Sequence, residues 1–482
     1  MSWQRLWKQL GAVLAPPPPP EPGLYAYPFR LPGGQRRLHL RVEEDGRGVL
    51  FVDVTDVLHL NPTATEMAKL ALDGVLLEEA LSILLQRYRG VERRQLTGEL
   101  QGIYQMVEQL GSAEHCPTCA VAPLVGGAPL FSTPVAAPFK ADLALTYRCN
   151  NACAHCYNEV ERFGMGSLDG AGWFEVLDRL AAVGVPHVIL TGGEPTLHPE
   201  IAAIVRHADA LGLVVGMNTN GRRLADPARV EALVEAGLNH VQVTLESSRA
   251  AVHDAMVNAP AFDETVQGIR NALEGGLHTI TNTTLTRHNV DHALEVVDFV
   301  AGLGLGTLAM NGMIYAGGGL ASLVEGEREG RARGKTDALR VEELVPLLDA
   351  VRERSEALGL RFLWYTVTDY CLLSPVALGL APKRCNAAEY SICIEPNGDV
   401  LPCQSYYTAA GNILEDPWES IWESDLFRSF RERGEEPEGA GLPEGCWDCP
   451  DLPLCGGGCR LEREARANLP LAERGCGQDR RG

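Results

Sequence analysis

Three cysteines, Cys149, Cys153 and Cys156, sit in the run Leu145-Thr-Tyr-Arg-Cys-Asn-Asn-Ala-Cys-Ala-His-Cys-Tyr157, directly after an apolar, strand-like stretch. Cysteine thiolates hold iron–sulfur clusters, and a 4Fe–4S cube ordinarily takes four of them. This run supplies three, which leaves one iron open to a substrate or cofactor and turns an electron carrier into a reaction site. Three stray thiols fit the run poorly, because the spacing is tight and an aromatic closes it. A structural zinc site would want a fourth Cys or His close by. His155 lies inside the triplet but points elsewhere if its two neighbours ligate one cube.

The segment after the triplet sets the fold class. Strand-like runs recur at 143–146, 187–191, 213–218, 240–245, 279–285 and 307–310, and helical patterns at 172–183, 199–210, 227–236, 262–274 and 292–303 separate them. Such alternation implies βαβ units and a parallel sheet. Six units predict an α/β fold, a partial (β/α)6 TIM-like barrel rather than a closed eightfold one. Chemistry in these barrels sits at the carboxyl ends of the strands, and the triplet follows the first strand. The second strand ends in Thr191-Gly192-Gly193-Glu194-Pro195, where paired glycines allow a close backbone approach and an acid can take a charged hydrogen bond from an ammonium group. The third ends in Asn218-Thr219-Asn220-Gly221 and the fourth in Thr244-Leu245-Glu246-Ser247.

The Cys-x3-Cys-x2-Cys-aromatic run resembles the signature of the radical S-adenosylmethionine (SAM) enzymes. That resemblance implies that SAM chelates the open iron through its amino and carboxylate groups. Reductive cleavage of its sulfonium then releases a 5′-deoxyadenosyl radical that abstracts a substrate hydrogen. It also implies that Gly192, Gly193 and Glu194 serve the methionyl amine, that Asn220, Thr244 and Glu246 serve the ribose and carboxylate, and that Tyr157 lies against the adenine. For Asn220, Thr244 and Glu246 an Asx turn or a strand-end cap is an equal reading.

The C-terminal region reads Cys385-x12-Gly398-x4-Cys403, then Cys446-x2-Cys449-x5-Cys455-x3-Cys459, then Cys476. This resembles the SPASM extension of radical SAM enzymes that act on peptides and related substrates, which implies two auxiliary 4Fe–4S clusters. Carried over, Cys385, Cys403 and Cys459 bind the first, and Cys446, Cys449, Cys455 and Cys476 the second. The first is then one ligand short. Cys393 could complete it, Cys371 is the runner-up, and an open iron is the third option. Disulfides or a zinc in the 446–459 quartet are competing readings, although clustered Cys in a reducing compartment reads as metal. Residues 395–399 form a turn between two short strands, a hairpin that presents Cys403.

The N-terminal third differs in character. Trp3, Leu6, Trp7, Leu10 and Leu14 share a helical face, too short to span a bilayer and without a signal-peptide cleavage pattern. Pro16–Pro20 follows as a stiff spacer. It reads as a surface-docking helix or as a poorly ordered extension. Strand-like runs at 37–42 and 49–54 then precede three helical patterns, the first opening at Asn61-Pro62, a cap residue followed by proline. The stretch from Leu58 through Gly74 to Tyr88 resembles the small chaperone of pyrroloquinoline quinone biosynthesis, the winged-helix recognition element of ribosomal peptide maturases. That implies leader-peptide binding by strand addition; a generic winged helix is the plainer reading. Cys116 and Cys119 form an unassigned thiol pair in the linker, and the Gly- and charge-rich run 317–335 reads as a mobile loop, lid or disordered.

The expected layout is therefore a docking helix and linker (1–24), a peptide-recognition domain (25–112), a linker (113–138), the barrel (139–340), a connection (341–384) and the cysteine-rich domain (385–482). A formal net charge of −21 argues against nucleic-acid binding, which relies on basic patches. No apolar run approaches membrane-spanning length, so a cytoplasmic enzyme is expected, supplied with electrons by a reductant such as flavodoxin or ferredoxin. The expected reaction is oxidative modification of a ribosomally made peptide with a leader, through a thioether or C–C crosslink. The alternatives are maturation of a small-molecule cofactor, such as a tetrapyrrole or quinone precursor, and a non-catalytic iron–sulfur electron carrier.

Overall fold

Residues that alternate between apolar and polar along 34–42 build the second strand of an N-terminal sheet, and its Leu38, Leu40 and Val42 are buried. In this computed structural model the described residues are 18–31, 34–52, 56–110, 131, 134–328 and 337–467. The helical face of residues 3–14, Cys116, Cys119 and Cys476 lie outside them. The chain divides into two units, Met1–Ala136 with Ala181–Pro186, and Ala137–Leu180 with His187–Gly482.

The first unit carries strands β1 (Gly23–Leu31), β2 (Gly34–Val42), β3 (Gly48–Val52) and β4 (Asp56–Leu60) in the antiparallel order β1-β2-β3-β4. Sequence patterning anticipated only β2 and β3. The outer strands escaped it because an edge strand is half covered and carries a weak alternation, and β1 even contains Pro28. Three helices follow, Pro62–Leu72, Leu77–Arg87 and Arg93–Leu110. Asn61 caps the first as expected: its side chain accepts from the Ala64 N–H at 2.8 Å, and Pro62 opens the first turn. Leu96, Leu100, Ile103, Val107 and Leu110 recur every three or four residues, and they bury one face of the last helix against Leu38, Leu40, Leu50 and Leu84.

In the second unit a nine-stranded sheet runs β11-β10-β9-β8-β7-β6-β5-β12-β13. The six expected strands are β5 (Lys140–Thr146), β6 (His187–Gly192), β7 (Val214–Thr219), β8 (His240–Thr244), β9 (His278–Thr284) and β10 (Thr307–Asn311). Neighbouring pairs are parallel, so every carboxyl end opens on one rim. Helices Gly170–Ala182, Ile201–Ala210, Pro227–Glu235, Phe262–Glu274 and Ala293–Gly302 connect them. The sheet continues past six strands. A helix at Val341–Ala357 and the parallel strand β11 (Arg361–Trp364) arise from the stretch expected to be only a connection. At the other edge β12 (Ser391–Ile394) lies parallel to β5 and forms the expected hairpin with β13 (Val400–Leu401).

Between the first and sixth barrel strands and just after, two further helices were missed. Ala250–Val257 is apolar nearly all round and so shows no one-sided stripe; Asn258 ends it in the left-handed conformation. Gly317–Arg328, read as a loop, is helical, and the outcome for 329–335 lies outside the described residues. Its glycines do not confer freedom here but allow contact, as shown below. The C-terminal region is tied to the barrel by a buried cluster: Tyr147 donates to Glu395 at 2.8 Å, and Arg162 pairs with Glu395 while lying 3.9 Å over the Tyr407 ring. Among the described residues no helix is long and apolar enough to cross a membrane.

Candidate active site

The exit of β5 and the exit of β6 are pressed together. The Gly193 N–H donates to Thr146 O at 2.7 Å and the Glu194 N–H to Arg148 O at 2.8 Å. A Cβ on Gly192 would lie 2.3 Å from Thr146 O, and one on Gly193 would lie 2.4 Å and 2.5 Å from the carbonyls of Arg148 and Tyr147. Gly192 also holds a φ of 121°, open to glycine alone without strain. The paired glycines are thus required by the strand that launches Cys149.

The triplet loop is gripped from three sides. Ala152 and Ala154 donate to Val257 O and Met256 O at the end of the Ala250–Val257 helix. Arg222 reaches Asn150 O and the Asn151 side chain, while Asn220 Nδ2 donates to Asn150 Oδ1 at 2.7 Å. From the third side the Gly318 N–H donates to Cys156 O at 2.7 Å. Cβ atoms on Gly317 and Gly318 would fall 2.3–2.7 Å from carbonyls of Ala154, Cys156, Tyr157 and Asn158. Sequence reasoning missed this contact, although the signal was present as three consecutive glycines just past the sixth strand.

Both acids expected to face a ligand are engaged inside the protein. Glu194 is fully buried and accepts four hydrogen bonds, from the Thr196 N–H and hydroxyl, the Thr219 hydroxyl and the Asn220 N–H. Burial pushes its pKa up against those bonds. Glu246 is also fully buried; His155 Nε2 lies 2.9 Å from one oxygen and the Thr284 N–H donates to the other at 2.8 Å. Burial alone would lower the pKa of His155, and the Glu246 carboxylate outweighs it and raises it. His155 latches the triplet loop to the end of β8 through Glu246, whose charge also reaches the Cys153 thiol. The Tyr157 hydroxyl reaches Gln404 at 3.3 Å, beside Cys403, and the Tyr407 hydroxyl donates to Asn158 at 3.0 Å. Thr244 stands opposite Asn282 in the parallel register.

Cys385, Cys403 and Cys459 gather below: burial first, then Cys385, pushes the Cys403 thiol up to about 12, and Cys459 rises for the same two reasons. Cys393, on β12 opposite Asp142 of β5, is buried beside Ala144, Tyr147 and Leu401. A second group joins Cys446, Cys449 and Cys455; burial, then Asp369, Cys455 and Cys449, raises the Cys446 thiol to about 11. The Tyr370 N–H donates to Cys455 Sγ at 3.4 Å, and the adjacent Cys371 is engaged in a disulfide. Among the described residues no three of these side chains close on a single-ion site, but an iron–sulfur cube takes each thiolate on a separate iron, and two neighbouring sets of cysteines suit that.

A model of the radical SAM superfamily matches residues 143–300, and one of the iron–sulfur cluster-binding SPASM domain matches residues 385–450. The chain is 30% identical over 361 residues to the PqqA peptide cyclase of Xanthomonas euvesicatoria pv. vesicatoria (strain 85-10), spanning 70% of this chain and 88% of that relative. This chain belongs to the radical SAM superfamily. The radical SAM protein is also 28% identical over 326 residues to the PqqA peptide cyclase of Methylocella silvestris, over 66% of its own length and 81% of the relative's. Its fold is similar to that of Streptococcus suis SuiB bound to precursor peptide SuiA, with a TM-score of 0.63 and 16% identity over 91% of this chain and 97% of that one. It is an enzyme whose cofactors are SAM and iron–sulfur clusters, and the electron-carrier reading falls.

Proposed function

We propose that this radical SAM enzyme oxidatively modifies a ribosomally synthesised peptide that it recognises through its N-terminal unit. The relatives that span two thirds of the chain are peptide cyclases by name, and the fold likeness to a peptide-bound structure covers 91% of the chain, so it reaches into that unit. The observation that carries the proposal is a cleft of about 700 Å3 in the N-terminal unit, lined by Phe29, Leu77, Gln101, Tyr104, Gln105 and Glu108. It lies wholly in residues outside the cysteine-bearing unit. A cleft with apolar floor and amide rim beside a sheet edge suits an extended peptide, whose backbone gives affinity and whose side chains give specificity. Residues 25–112 then form the recognition domain, 139–364 the barrel and 385–482 the SPASM region.

Cys149, Cys153 and Cys156 would hold the cluster at the rim, Cys385, Cys403 and Cys459 the first auxiliary cluster with Cys393 as fourth candidate, and Cys446, Cys449, Cys455 and Cys476 the second. When bound, the rim cluster supplies the electron that cleaves SAM to the 5′-deoxyadenosyl radical. The chain's own part is placement. The backbone of Gly192 and Gly193 and the side chains of Tyr157, Glu194, Asn220, Thr244 and Glu246 would border the SAM position, and the buried carboxylates of Glu194 and Glu246 also hold those loops in shape. Electrons would come from a flavodoxin- or ferredoxin-type reductant in the cytoplasm.

The test is anaerobic turnover with iron, sulfide, SAM, a strong reductant and short peptides encoded beside the gene. Formation of 5′-deoxyadenosine together with a peptide lighter by a hydrogen pair is the expected result, and Cys153→Ala should abolish both. SAM consumption that leaves every such peptide unmodified but converts a non-peptide precursor would overturn the peptide reading.

A further inference from the structure

Between Cys455 and Cys459 the chain passes through Gly456, Gly457 and Gly458, with φ of 64°, 71° and 71°. These residues link the two groups of auxiliary cysteines, and two guanidinium groups close on them. Arg433 is 6% exposed, and its Nη2 donates to Cys385 O at 2.5 Å and to Glu389 at 2.9 Å. Its Nε would lie 3.4 Å from a Cβ on Gly456. Arg463 stands one helical turn beyond Cys459: its backbone N–H donates to Cys459 O, and its Nη1 donates to Gly457 O. The Arg463 guanidinium lies within electrostatic reach of the Cys459 and Cys385 thiols, and of Cys446 in the second group.

Both residues carry an orphan. The Nε of Arg433 and the Nε of Arg463 are buried with no hydrogen-bond acceptor among the described residues. A buried charged donor without an acceptor is unfavourable; the Nε of Arg352 is another among the described residues, so position rather than rarity marks Arg433 and Arg463. Both close on the glycine turn that joins the two groups of cysteines. Local acids offset only part of the charge: Glu389 is shared by Arg384 and Arg433, and Asp369, whose Oδ1 occupies the space a Cβ on Gly458 would need, opposes Arg463. Glu462 and Arg460 on the same helix as Arg463, Lys383 beside Cys385 and the Lys140–Asp142 pair add to the charged surroundings.

We propose that Arg433 and Arg463 are positioning residues for the first auxiliary cluster, donating their Nε–H groups to its sulfur atoms and holding its reduction potential up. The inference rests on the reading that Cys385, Cys403 and Cys459 bind that cluster. Reduction adds a negative charge, so hydrogen bonds to sulfur and nearby cations stabilise the reduced form, which is how the protein sets such potentials.

The experiment is an EPR-monitored potentiometric titration of the anaerobically reconstituted full chain, beside Arg463→Gln and Arg433→Gln. Arg463→Gln is the primary variant because it breaks one hydrogen bond, to Gly457 O, and removes a charge facing Asp369, whereas Arg433→Gln breaks bonds to both Cys385 O and the buried Glu389. We expect one auxiliary signal to shift its one-electron equilibrium by about tenfold toward the oxidised form, about 59 mV. The signal that responds to SAM stays where it is, and iron remains at about twelve per chain. Unchanged midpoints at full iron content overturn the proposal. If Arg463→Gln loses about four irons, Arg463→Lys decides: recovered iron with a lowered midpoint supports it, and recovered iron with the parental midpoint overturns it. A parent chain that binds only about four irons instead overturns the cluster reading beneath it.

Discussion

Replacing Gly193 by alanine tests the join on which the rim depends. The added Cβ would sit 2.4 Å from Arg148 O and 2.5 Å from Tyr147 O, and a backbone carbonyl cannot rotate aside as a side chain can. One of two things must give. Either the β6 exit lifts away, straining the bonds from the Gly193 N–H to Thr146 O and from the Glu194 N–H to Arg148 O, or the segment leading into Cys149 is displaced. Overpacking of this kind costs about 1–3 kcal/mol. Two weakened hydrogen bonds add about 0.5–1.5 kcal/mol each, for a total of about 2–6 kcal/mol. If only about 2 kcal/mol of this falls on the ligand-competent shape, SAM binds roughly thirtyfold more weakly. The assay is anaerobic calorimetric titration of SAM into the reconstituted protein, with the denaturation midpoint and iron content measured alongside. Gly302→Ala is the control, since a Cβ there meets nothing within 4 Å. A Gly193→Ala protein that matches the control in SAM affinity, midpoint and iron would refute the argument that these glycines exist for close approach.

Gly318→Ala carries the same logic to the other side of the triplet, where the Cβ would lie 2.3 Å from Ala154 O. Iron should fall by about four per chain, with the auxiliary signals kept; full iron would show that the helix can withdraw without cost. Glu395→Ala strands Arg162 and Tyr147 in a buried site. It should cost about 3–5 kcal/mol, against about 1–2 kcal/mol for Tyr147→Phe; equal losses in urea would dissolve the reasoning. His240, half-buried with its ring over Gly216, is pushed down to about 4 by burial, with His278 and Lys140 adding to it. Its pKa in the unfolded chain is about 6.5, so the unfolded state binds the extra proton between those values. Stability should therefore be complete above about pH 6.5 and decline as pH falls toward about 4. Solvent screening limits the loss to about 1–2 kcal/mol. His240→Asn should flatten that decline, and an unchanged pH profile would place the dependence elsewhere.

The barrel was legible because its signals are local. Each strand is a short apolar run, each helix a one-sided stripe, and 262–274 coincides with the observed Phe262–Glu274. Where a segment lacked a stripe, as Ala250–Val257 does, the pattern had nothing to report. Site residues divide in the same way. The cysteines and the paired glycines announce themselves by spacing, but what Glu194 and Glu246 do depends on partners that arrive from other strands. Glu194 meets Thr219 and Asn220 from β7, and Glu246 meets His155 from the triplet loop and Thr284 from β9. A buried carboxylate is stable only when such partners are in place, and no linear pattern states which ones will be.

That distinction bears on how the rim works. Glu194 joins the ends of β6 and β7, and the His155–Glu246 contact joins the triplet loop to the ends of β8 and β9. The same triplet loop is bonded to the helices at Ala250–Val257 and Gly317–Arg328. Preorganisation of this kind is what a reactive radical requires of its container, because the protein's contribution is to orient the cofactor and shut out competing reactions. Glu194 and Glu246 thus remove freedom from the backbone at the rim, whatever else they contact there.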